Sequence, residues 1–381
     1  MHHTLYDLSP LLRLLMVGAA LAALPLLWVG LRNRKASTAQ RLRALTLVTL
    51  FLTFDLVMFG AFTRLTDSGL GCPDWPGCYG NASPLGAHAE ITAAQTTMPT
   101  GPVTHDKAWI EMLHRYWASS VGGLILVLAG MGWWLTIGTR KNRAGTHAAP
   151  NPWWATATLV WVCIQGAFGA LTVTMQLFPA IVSLHLLGGY VLLALLTVQA
   201  VLWTRHSLGT SPIPVGKGLR AWMLLGLCAL VIQAASGAWV STNYAVLACS
   251  EFPKCQSQWW PDMAFAQGFT LWRGLGLAAD GTSIPFSALT AIHVVHRMLA
   301  LLTVLILGGL CAALWRTKAF SFLSRALLGV LLLQIATGVS NAVLGWPLPA
   351  AVLHTGGAGA LVVILVALLG NSATQTQKSN P

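Results

Sequence analysis

Residues 60–80 read GAFTRLTDSGLGCPDWPGCYG, and residues 237–257 read GAWVSTNYAVLACSEFPKCQS. In both stretches a Gly-Ala pair lies at the end of a long apolar run, and two cysteines flank a proline in the loop that follows. Five positions align with one constant offset: Gly60, Ala61, Cys72, Pro76 and Cys78 match Gly237, Ala238, Cys249, Pro253 and Cys255. A loop repeated in this way indicates an internal duplication.

Two further blocks recur in the same order. HRYWA at His114 matches HRMLA at His296. QGAFG and LHLLGG, which contains His185, match QIATG and LHTGGA, which contains His354. We therefore predict two pseudo-symmetric four-helix halves, with the first apolar run as an extra N-terminal helix outside the duplication.

The composition places the chain in a membrane. Of its 381 residues, 55% are hydrophobic and 8% are charged, which is too little charge to cover a soluble globule. A span needs roughly 20 apolar residues, and it is helical because the backbone must satisfy its own hydrogen bonds in lipid. The predicted fold is an all-α integral membrane protein with nine spans: 11–31, 44–63, 109–137, 152–175, 180–204, 218–242, 286–315, 320–344 and 349–370.

The placement of the charges predicts an orientation. The net charge of +12 would suit a nucleic acid, but most of the 22 Lys and Arg lie in alternate connections and in the tail, which argues against that partner. By the positive-inside rule these segments are cytoplasmic, so the N-terminus lies outside and the C-terminus inside. A signal peptide is the alternative for the first span, because it is N-terminal and apolar. It lacks a basic n-region, however, and the basic run RNRK after it is typical of a membrane anchor. The basic residues in these segments are Arg32, Arg34, Lys35, Arg41, Arg43, Arg140, Lys141, Arg143, Arg205, Lys217, Arg220, Arg316, Lys318, Arg325 and Lys378.

The duplication and the charges together define the domain boundaries. We predict an extra helix with a basic linker at 1–43, an N-terminal half at 44–205, a cytoplasmic linker at 206–217, a C-terminal half at 218–370 and a tail at 371–381. Most of the ten acidic residues fall in two long outer loops, one in each half. The loop 81–107 is rich in Ala, Thr and Pro, and its sequence assigns it no structure.

Each half carries one histidine on its second helix and one on its fourth. His114, His185 and His354 lie about 7–9 Å inside the outer ends of their spans at 1.5 Å per residue. Two neutral imidazoles at matching depth can bind a haem iron from opposite faces. A hydrogen bond to a carbonyl or hydroxyl is the alternative for any one of them, and zinc lacks a third ligand at metal spacing. The repeated pattern favours two sites, with iron bound by His114 and His185 in one and by His296 and His354 in the other.

These motifs together resemble the haem A synthases of bacterial and mitochondrial membranes. The resemblance rests on GAFTRLTDSGLGCPDWPGCYG, EMLHRYWAS, SLHLLGGY, CQSQWWPDM, HVVHRMLA and VLHTGGA, in one order across residues 44–370. It implies oxidation of the C8 methyl group of haem O to a formyl group, which gives haem A for terminal cytochrome oxidases. It also implies that the N-terminal half binds the substrate haem O and the C-terminal half a permanent haem b. The implied location is the bacterial inner membrane, with haem O synthase and an electron acceptor as partners.

Glu111 distinguishes the two halves. It precedes His114 by three positions and shares its helix face, whereas the matching position of the second half is His293. An acid near the porphyrin can move protons during oxidation of a methyl group. We therefore predict Glu111 as the catalytic residue and the N-terminal half as the reactive one. A hydrogen bond from Glu111 to a loop or to a haem propionate is the alternative, and His293 is expected beside the C-terminal site rather than as an iron ligand.

Other polar residues in or near the spans have candidate roles around the haem sites. Arg64, Arg115 and Arg297 are candidates for pairing with haem propionates, and snorkelling toward the headgroups is the competing explanation. Asp55 lies inside the second span, where a carboxylate needs a partner or a proton role. Four further histidines are expected to be solvated loop residues: His88, His105, His147 and His206.

The cysteines divide into two groups. The four outer cysteines are predicted to form the local disulfides Cys72–Cys78 and Cys249–Cys255, because disulfides persist in an oxidising compartment. A redox role for the N-terminal pair is the alternative. The three cysteines within spans are expected to pack as small apolar residues: Cys163, Cys228 and Cys311.

Two other function classes use the same features. A di-haem b-type cytochrome would only transfer electrons, and a haem transporter or chaperone would use SQWWPDM at residues 257–263 as a haem platform. All predicted ligands lie in the outer half of the spans, whereas an electron-transfer protein usually has haems on both sides. A transporter gives no reason for the difference between Glu111 and His293. We therefore favour a membrane oxidoreductase, with the lipid bilayer around it and a second copy of the chain as a further candidate partner.

Overall fold

The computed structural model describes residues 9–141 and 150–375, with side chains omitted for 138–141. Arg143 and Lys378, which the sequence places in cytoplasmic segments, and His147, which it places in a loop, lie outside the described residues. Within the described ranges, nine helices are long and apolar enough to cross a membrane, which confirms the predicted all-α membrane fold. They are α1 (Ser9–Arg32), α2 (Thr38–Leu65), α4 (His105–Lys141), α5 (Trp153–Thr174), α6 (Pro179–Leu208), α7 (Lys217–Thr242), α9 (Phe286–Trp315), α10 (Ser321–Val343) and α11 (Leu348–Gly370).

Short elements lie in the connections. A helix of ten residues, α3 (His88–Thr97), occupies the loop to which the sequence assigns no structure. The second outer loop contains a 3-10 turn (Ala245–Ala248) and one turn of helix, α8 (Phe265–Gly268), and a further 3-10 turn (Lys318–Phe320) precedes α10. Two strands, β1 (Ile213–Val215) and β2 (Ser372–Thr374), pair in parallel.

Local chemistry explains several helix ends. Ser37 and Gln40 form a reciprocal capping box that begins α2. Pro179 occupies the first turn of α6, where its missing N–H costs nothing. Gly209 ends the same helix at φ 65°, the left-handed conformation that glycine adopts without steric penalty.

The described chain divides into two compact units between Leu177 and Phe178. In the first unit, α4 lies at the centre and packs against α1, α2, α3 and α5. In the second unit, α7, α9, α10 and α11 pack as a closed ring, and α6 packs against α7 and α11. This division assigns α6 to the second unit, whereas the sequence groups it with the N-terminal half. The duplication and the boundaries at 44–205 and 218–370 stay predictions.

The strand pair joins two segments of the second unit at one end of its helices. Ile213 in the α6–α7 connection pairs with Ser372, which follows α11 directly. The Arg220 side chain donates to the Ser372 carbonyl at 2.6 Å, and that of Arg205 donates to the Gly370 carbonyl at 3.2 Å. The α6–α7 connection and the start of the tail therefore lie at the same end of the second unit's helices.

Candidate functional site

The second unit holds two predicted ligands on opposed helices. Because α7, α9, α10 and α11 form a ring in that order, α9 and α11 lie diagonally across it. His296 on α9 and His354 on α11 are both half-buried. Histidines on facing helices of a bundle are a usual way to hold a haem within its core.

A hydroxyl on the neighbouring helix contacts each of these rings. Ser236 Oγ lies 2.8 Å from Nδ1 of His296, and Thr337 Oγ1 lies 2.9 Å from Nδ1 of His354. The Gln233 amide nitrogen also lies near the His296 ring, 3.1 Å from Nδ1 and 3.4 Å from Nε2. In His354 the partner at Nδ1 fixes the ring orientation and leaves Nε2 as the nitrogen for a metal, whereas in His296 the Gln233 amide lies near both ring nitrogens.

A glycine lies against each of three predicted ligands. A Cβ atom added at Gly237 would lie 3.0 Å from Cε1 of His296, and one at Gly338 would lie 3.1 Å from Cε1 of His354. In the first unit, a Cβ atom at Gly60 would lie 3.0 Å from Nε2 of His114. These positions have space for the imidazole only because the methyl group is absent. Half-buried rings held in this way fit the requirements of haem ligands.

His114 lies on α4, beside an aromatic group from α2. The Phe59 ring stacks near it, with centroids 6.3 Å apart, and also lies 5.9 Å from the ring of Trp117. His114 is half-buried in the described structure. The first unit therefore presents an imidazole beside a flat aromatic surface, which suits contact with a porphyrin.

Glu111 is buried one turn before His114, with 4% of its surface exposed. Its Oε2 accepts a hydrogen bond of 2.7 Å from the backbone N–H of Cys72. Its Oε1 accepts one of 2.5 Å from Arg115, and the two residues form an ion pair one turn apart on α4. Both carboxylate oxygens are thus engaged, and Glu111 connects the disulfide loop to the site helix.

Arg115 continues this connection into the loop between Cys72 and Cys78. Its Nη1 donates to the carbonyl oxygens of Asp74 at 3.0 Å and of Pro76 at 3.2 Å, and also to that of Gly77. A planar guanidinium can serve several acceptors at once, which an ammonium does with less directional control. The loop is therefore held on α4 by a buried cation and its carboxylate partner.

The second unit has a corresponding arginine with a histidine as its partner. Arg297 donates to the Cys249 carbonyl at 2.9 Å and to the Lys254 carbonyl at 3.0 Å. Its Nε lies 3.3 Å from Nε2 of His293, which is buried with 4% exposure. His293 thus contacts Arg297, whereas His296 faces Ser236. The predicted pairing of Arg115 and Arg297 with propionates stays a prediction, because the described contacts of both are to their loops.

Both predicted disulfides are present. Cys72 and Cys78 have sulfur atoms 2.09 Å apart, and Cys249 and Cys255 have theirs 1.99 Å apart. In each loop the second cysteine pairs through its backbone with the residue three positions later, Asn81 or Gln258. The two loops share these local features, each within its own unit.

The other polar residues that the sequence singled out are His185, Arg64 and Asp55. His185 is half-buried on α6, and among the described residues its Nδ1 has no hydrogen-bond partner. It belongs to the second unit and His114 to the first, so their pairing stays a prediction. Arg64 lies 3.3 Å from Asp67 in an ion pair at the end of α2. Asp55 is half-buried within α2, and its role stays a prediction.

Three of the four histidines that were expected in loops lie in helices instead. His88 and His105 begin α3 and α4, and their ring centroids lie 4.6 Å apart because α3 packs on the start of α4. His206 lies in the last turn of α6 against Trp203. Among the span cysteines, Cys311 is buried as expected. Cys163 and Cys228 are instead exposed on their helices.

The second outer loop is organised by a residue that the sequence did not single out. Arg273 is only 3% exposed; it donates to Asn243 Oδ1 at 2.6 Å and to the Leu277 carbonyl at 3.1 Å. Its guanidinium lies 5.6 Å from the Trp239 ring centroid. Burial lowers the pKa of Arg273 below its usual value. Arg273 therefore fastens the loop to the end of α7.

Sequence reasoning also missed the residues that hold the imidazoles. Ser236, Gln233 and Thr337 do not repeat with their histidines, so the duplication gave no signal for them. The glycines did leave a signal, because Gly60 and Gly237 belong to the repeated Gly-Ala pair. The repeat marked these two glycines as notable, but it did not reveal that a histidine ring packs against each of them.

Comparisons with known proteins identify a matching family and several relatives. The family model COX15-CtaA, described as "Cytochrome oxidase assembly protein", matches residues 43–366. Heme A synthase of Shewanella oneidensis is 36% identical over 321 residues, which are 84% of this chain and 93% of the relative. Heme A synthase of Halalkalibacterium halodurans is 26% identical over 78% of this chain and 86% of the relative. Heme A synthase of Granulibacter bethesdensis is 27% identical over 84% of each.

Proposed function

Because the chain belongs to the COX15-CtaA family of cytochrome oxidase assembly proteins, we propose that it is a haem A synthase. It oxidises the C8 methyl group of haem O to a formyl group, and the product serves terminal cytochrome oxidases. The protein is a multi-pass protein of the bacterial inner membrane. Haem O synthase and an electron acceptor are its proposed partners.

The observation that carries this proposal is the difference between the two arginine contacts. In the first unit Arg115 pairs with the Glu111 carboxylate, and in the second Arg297 contacts the imidazole of His293. A buried carboxylate one turn from a histidine is a feature of a site that handles protons. We assign the reaction to the N-terminal half, with Glu111 as the catalytic residue, and haem retention to the C-terminal half.

The substrate is held by His114 and His185 in this proposal, and haem b by His296 and His354. A resident haem supplies a one-electron redox couple when it is bound. The protein orients the imidazoles of the second unit through Ser236 and Thr337. Ligation of haem b is supported by the glycine cradles and these hydroxyl contacts.

Glu111 has the proton role in this proposal. Conversion of a methyl group to a formyl group replaces two C–H bonds by a C=O bond, so an oxygen atom is added while electrons and protons are removed. The electrons pass to the proposed acceptor, and a carboxylate near that carbon can accept a proton. Arg115 and the N–H of Cys72 hold the carboxylate in one orientation. The disulfide loop excludes water from this part of the site, because both of its cysteines are buried.

The proposed orientation has the N-terminus outside and the C-terminus in the cytoplasm. The paired strands β1 and β2 support one part of it, since they join the α6–α7 connection to the tail. Arg205 and Arg220 lie at this end, as the positive-inside rule requires of a cytoplasmic side. Both disulfide loops then lie outside, where disulfides persist.

A pigment experiment tests the function. The full chain is expressed with and without a haem O synthase in a bacterium that lacks haem A, and membrane pigments are extracted and separated. Haem A is expected only when both proteins are present, and a His114→Ala variant is expected to abolish it while a His88→Ala variant does not. Haem O alone in the presence of the intact chain would contradict the proposal. Stable binding of two b-type haems without haem A would instead favour an electron-transfer cytochrome.

A further inference from the structure

The N-terminal helix α1 buries one narrow stripe of its surface. Its buried residues are spaced mostly by four positions, so they lie along one side of the helix: Pro10, Leu14, Gly18, Ala22 and Val29. Large apolar residues on its other sides are exposed, among them Leu12, Leu24 and Leu27 at 60–64%. A helix that only anchored the chain would not need a continuous buried stripe.

This stripe lies very close to α4, the helix that carries Glu111 and His114. A Cβ atom at Gly18 would lie 2.5 Å from the Cβ of Ser119, a distance that side-chain carbons do not reach. One turn further, a Cβ atom at Gly123 would lie 3.5 Å from the Cβ of Ala22. Small residues on both helices therefore allow their backbones to approach, which is a common way to fix two helices in a membrane.

The outer end of the stripe reaches the disulfide loop. Leu14 belongs to a buried cluster that includes Cys72, Cys78, Met112 and Tyr116. A Cβ atom at Gly77 in the loop would lie 3.3 Å from the Cβ of Pro10. The α1 helix thus packs against the disulfide and against α4 at once.

We infer that α1 is a positioning element of the reactive half, which keeps the Cys72–Cys78 loop seated on α4 so that Glu111 retains its contacts. This inference rests on the proposed function, because it assigns the consequence of misplacement to the reaction. The helix lies outside residues 43–366, the part of the chain that the family model matches. The family's shared chemistry does not explain why α1 is packed so closely.

The test places a large side chain between α1 and α4 at one glycine of α1. The same substitution at a second glycine of α1, away from α4, is the control. Gly18→Leu introduces a side chain where Ser119 leaves no space, whereas Gly30→Leu places the same side chain where nothing lies within 4 Å. Both variants are made in the full chain and expressed with a haem O synthase. Protein amount, the haem A to haem O ratio, the low-spin haem absorption and the rate of Cys72–Cys78 reduction and alkylation are measured.

We expect Gly18→Leu to lower the haem A to haem O ratio by about 100-fold, the loss that follows when reacting groups are misplaced by an ångström. The disulfide should become reducible faster, while the low-spin absorption of the haem at His296 and His354 stays unchanged. Gly30→Leu should behave as the unmodified chain. An unchanged ratio together with an unchanged reduction rate in Gly18→Leu would overturn the inference.

A paired substitution keeps the test decisive if Gly18→Leu does not accumulate. Gly18→Ala places one methyl group against Ser119, and combining it with Ser119→Gly removes the nearest atom it meets. We expect the double variant to recover part of the haem A lost by Gly18→Ala, and no recovery would contradict the inferred contact. If the unmodified chain makes no haem A, the proposed function fails, and the reduction rates alone still decide whether α1 holds the loop.

Discussion

Arg115 connects the Cys72–Cys78 loop of the first unit to α4. It binds a carboxylate on its own helix and carbonyl oxygens of the disulfide loop, and only 7% of its surface is exposed. A buried guanidinium with one carboxylate partner has its charge compensated, so removing either partner leaves the other buried and unpaired. Substitutions at Glu111 therefore change both a candidate proton acceptor and the anchor of a loop.

Glu111→Gln separates these two roles. The amide keeps the size of the side chain and an oxygen that accepts from Cys72, but it has no charge and no basic oxygen. We expect haem A formation to fall by about 100-fold or more, the usual contribution of general acid–base catalysis, while haem remains bound at His296 and His354. The haem A to haem O ratio and the low-spin absorption measure the two effects.

Glu90→Gln is the matched control, because Glu90 is exposed on α3. The same neutralisation there should leave haem A formation unchanged. Normal haem A formation by Glu111→Gln would remove Glu111 from the chemistry and leave it as the loop's anchor.

The hydroxyls beside the C-terminal imidazoles support a second residue-level prediction. Ser236→Ala and Thr337→Val remove the contacts to Nδ1 of His296 and His354. Loss of such an outer contact typically costs about 10–100-fold in metal affinity, so both variants should retain less haem b and shift its midpoint potential. Haem content per protein and a redox titration are the measurements.

Ser324→Ala provides the control in the same unit. Ser324 is buried on α10, and its hydroxyl has no hydrogen-bond partner among the described residues. Its removal should leave haem content and potential unchanged. Equal haem retention by Ser236→Ala, Thr337→Val and Ser324→Ala would mean that the hydroxyls do not orient the ligands.

At this scale the sequence predicted the repeated residues and missed the unrepeated ones. The four histidines and Glu111 could be proposed as site residues because the halves can be compared position by position. Ser236 and Thr337 come from different helices of the ring and have no common spacing to their histidines. Such contacts depend on how helices approach each other, which one sequence does not contain.

The helices of the second unit depend on close approach at their glycines. Gly237→Ala should displace the His296 ring, because the added methyl group would lie 3.0 Å from Cε1. We expect a loss of low-spin haem from that site with the protein still inserted in the membrane. Gly218→Ala on the same helix has nothing within 4 Å and should retain haem fully. Equal haem content in the two variants would contradict the close contact.

The long helices were predictable and the short elements were not. Each of the nine spans is an apolar run that only a helix can satisfy in lipid. A helix of ten residues such as α3 is marginal alone and depends on tertiary packing, which Ile91 supplies by being fully buried. The strands β1 and β2 are three residues long and lie far apart in sequence, so neither has a local signal.

At the scale of the whole molecule, the chain contains two loops of similar local geometry with different charges beneath them. Arg115 pairs with the Glu111 carboxylate, whereas Arg297 contacts the His293 imidazole. In the proposed function, this change of one partner within a similar frame gives the two haem sites different chemistry. The predicted duplication explains why the frame recurs, and the substitution at the position of Glu111 explains why the halves would not be interchangeable.

The orientation of the whole chain is testable by labelling from one side. Ala279 in the second outer loop and Thr210 in the α6–α7 connection are both exposed, and each is replaced singly by cysteine. In intact cells, a membrane-impermeant maleimide should label Ala279→Cys and not Thr210→Cys, with the unmodified chain giving the background from its three free cysteines. Lysed cells should show both positions labelled, which controls for reactivity. Labelling of Thr210→Cys alone would contradict the proposed orientation and indicate the opposite one, with both disulfide loops in the cytoplasm. Reducing thiols there act against disulfides, so the loops would lose the crosslinks beside Glu111 and Arg297.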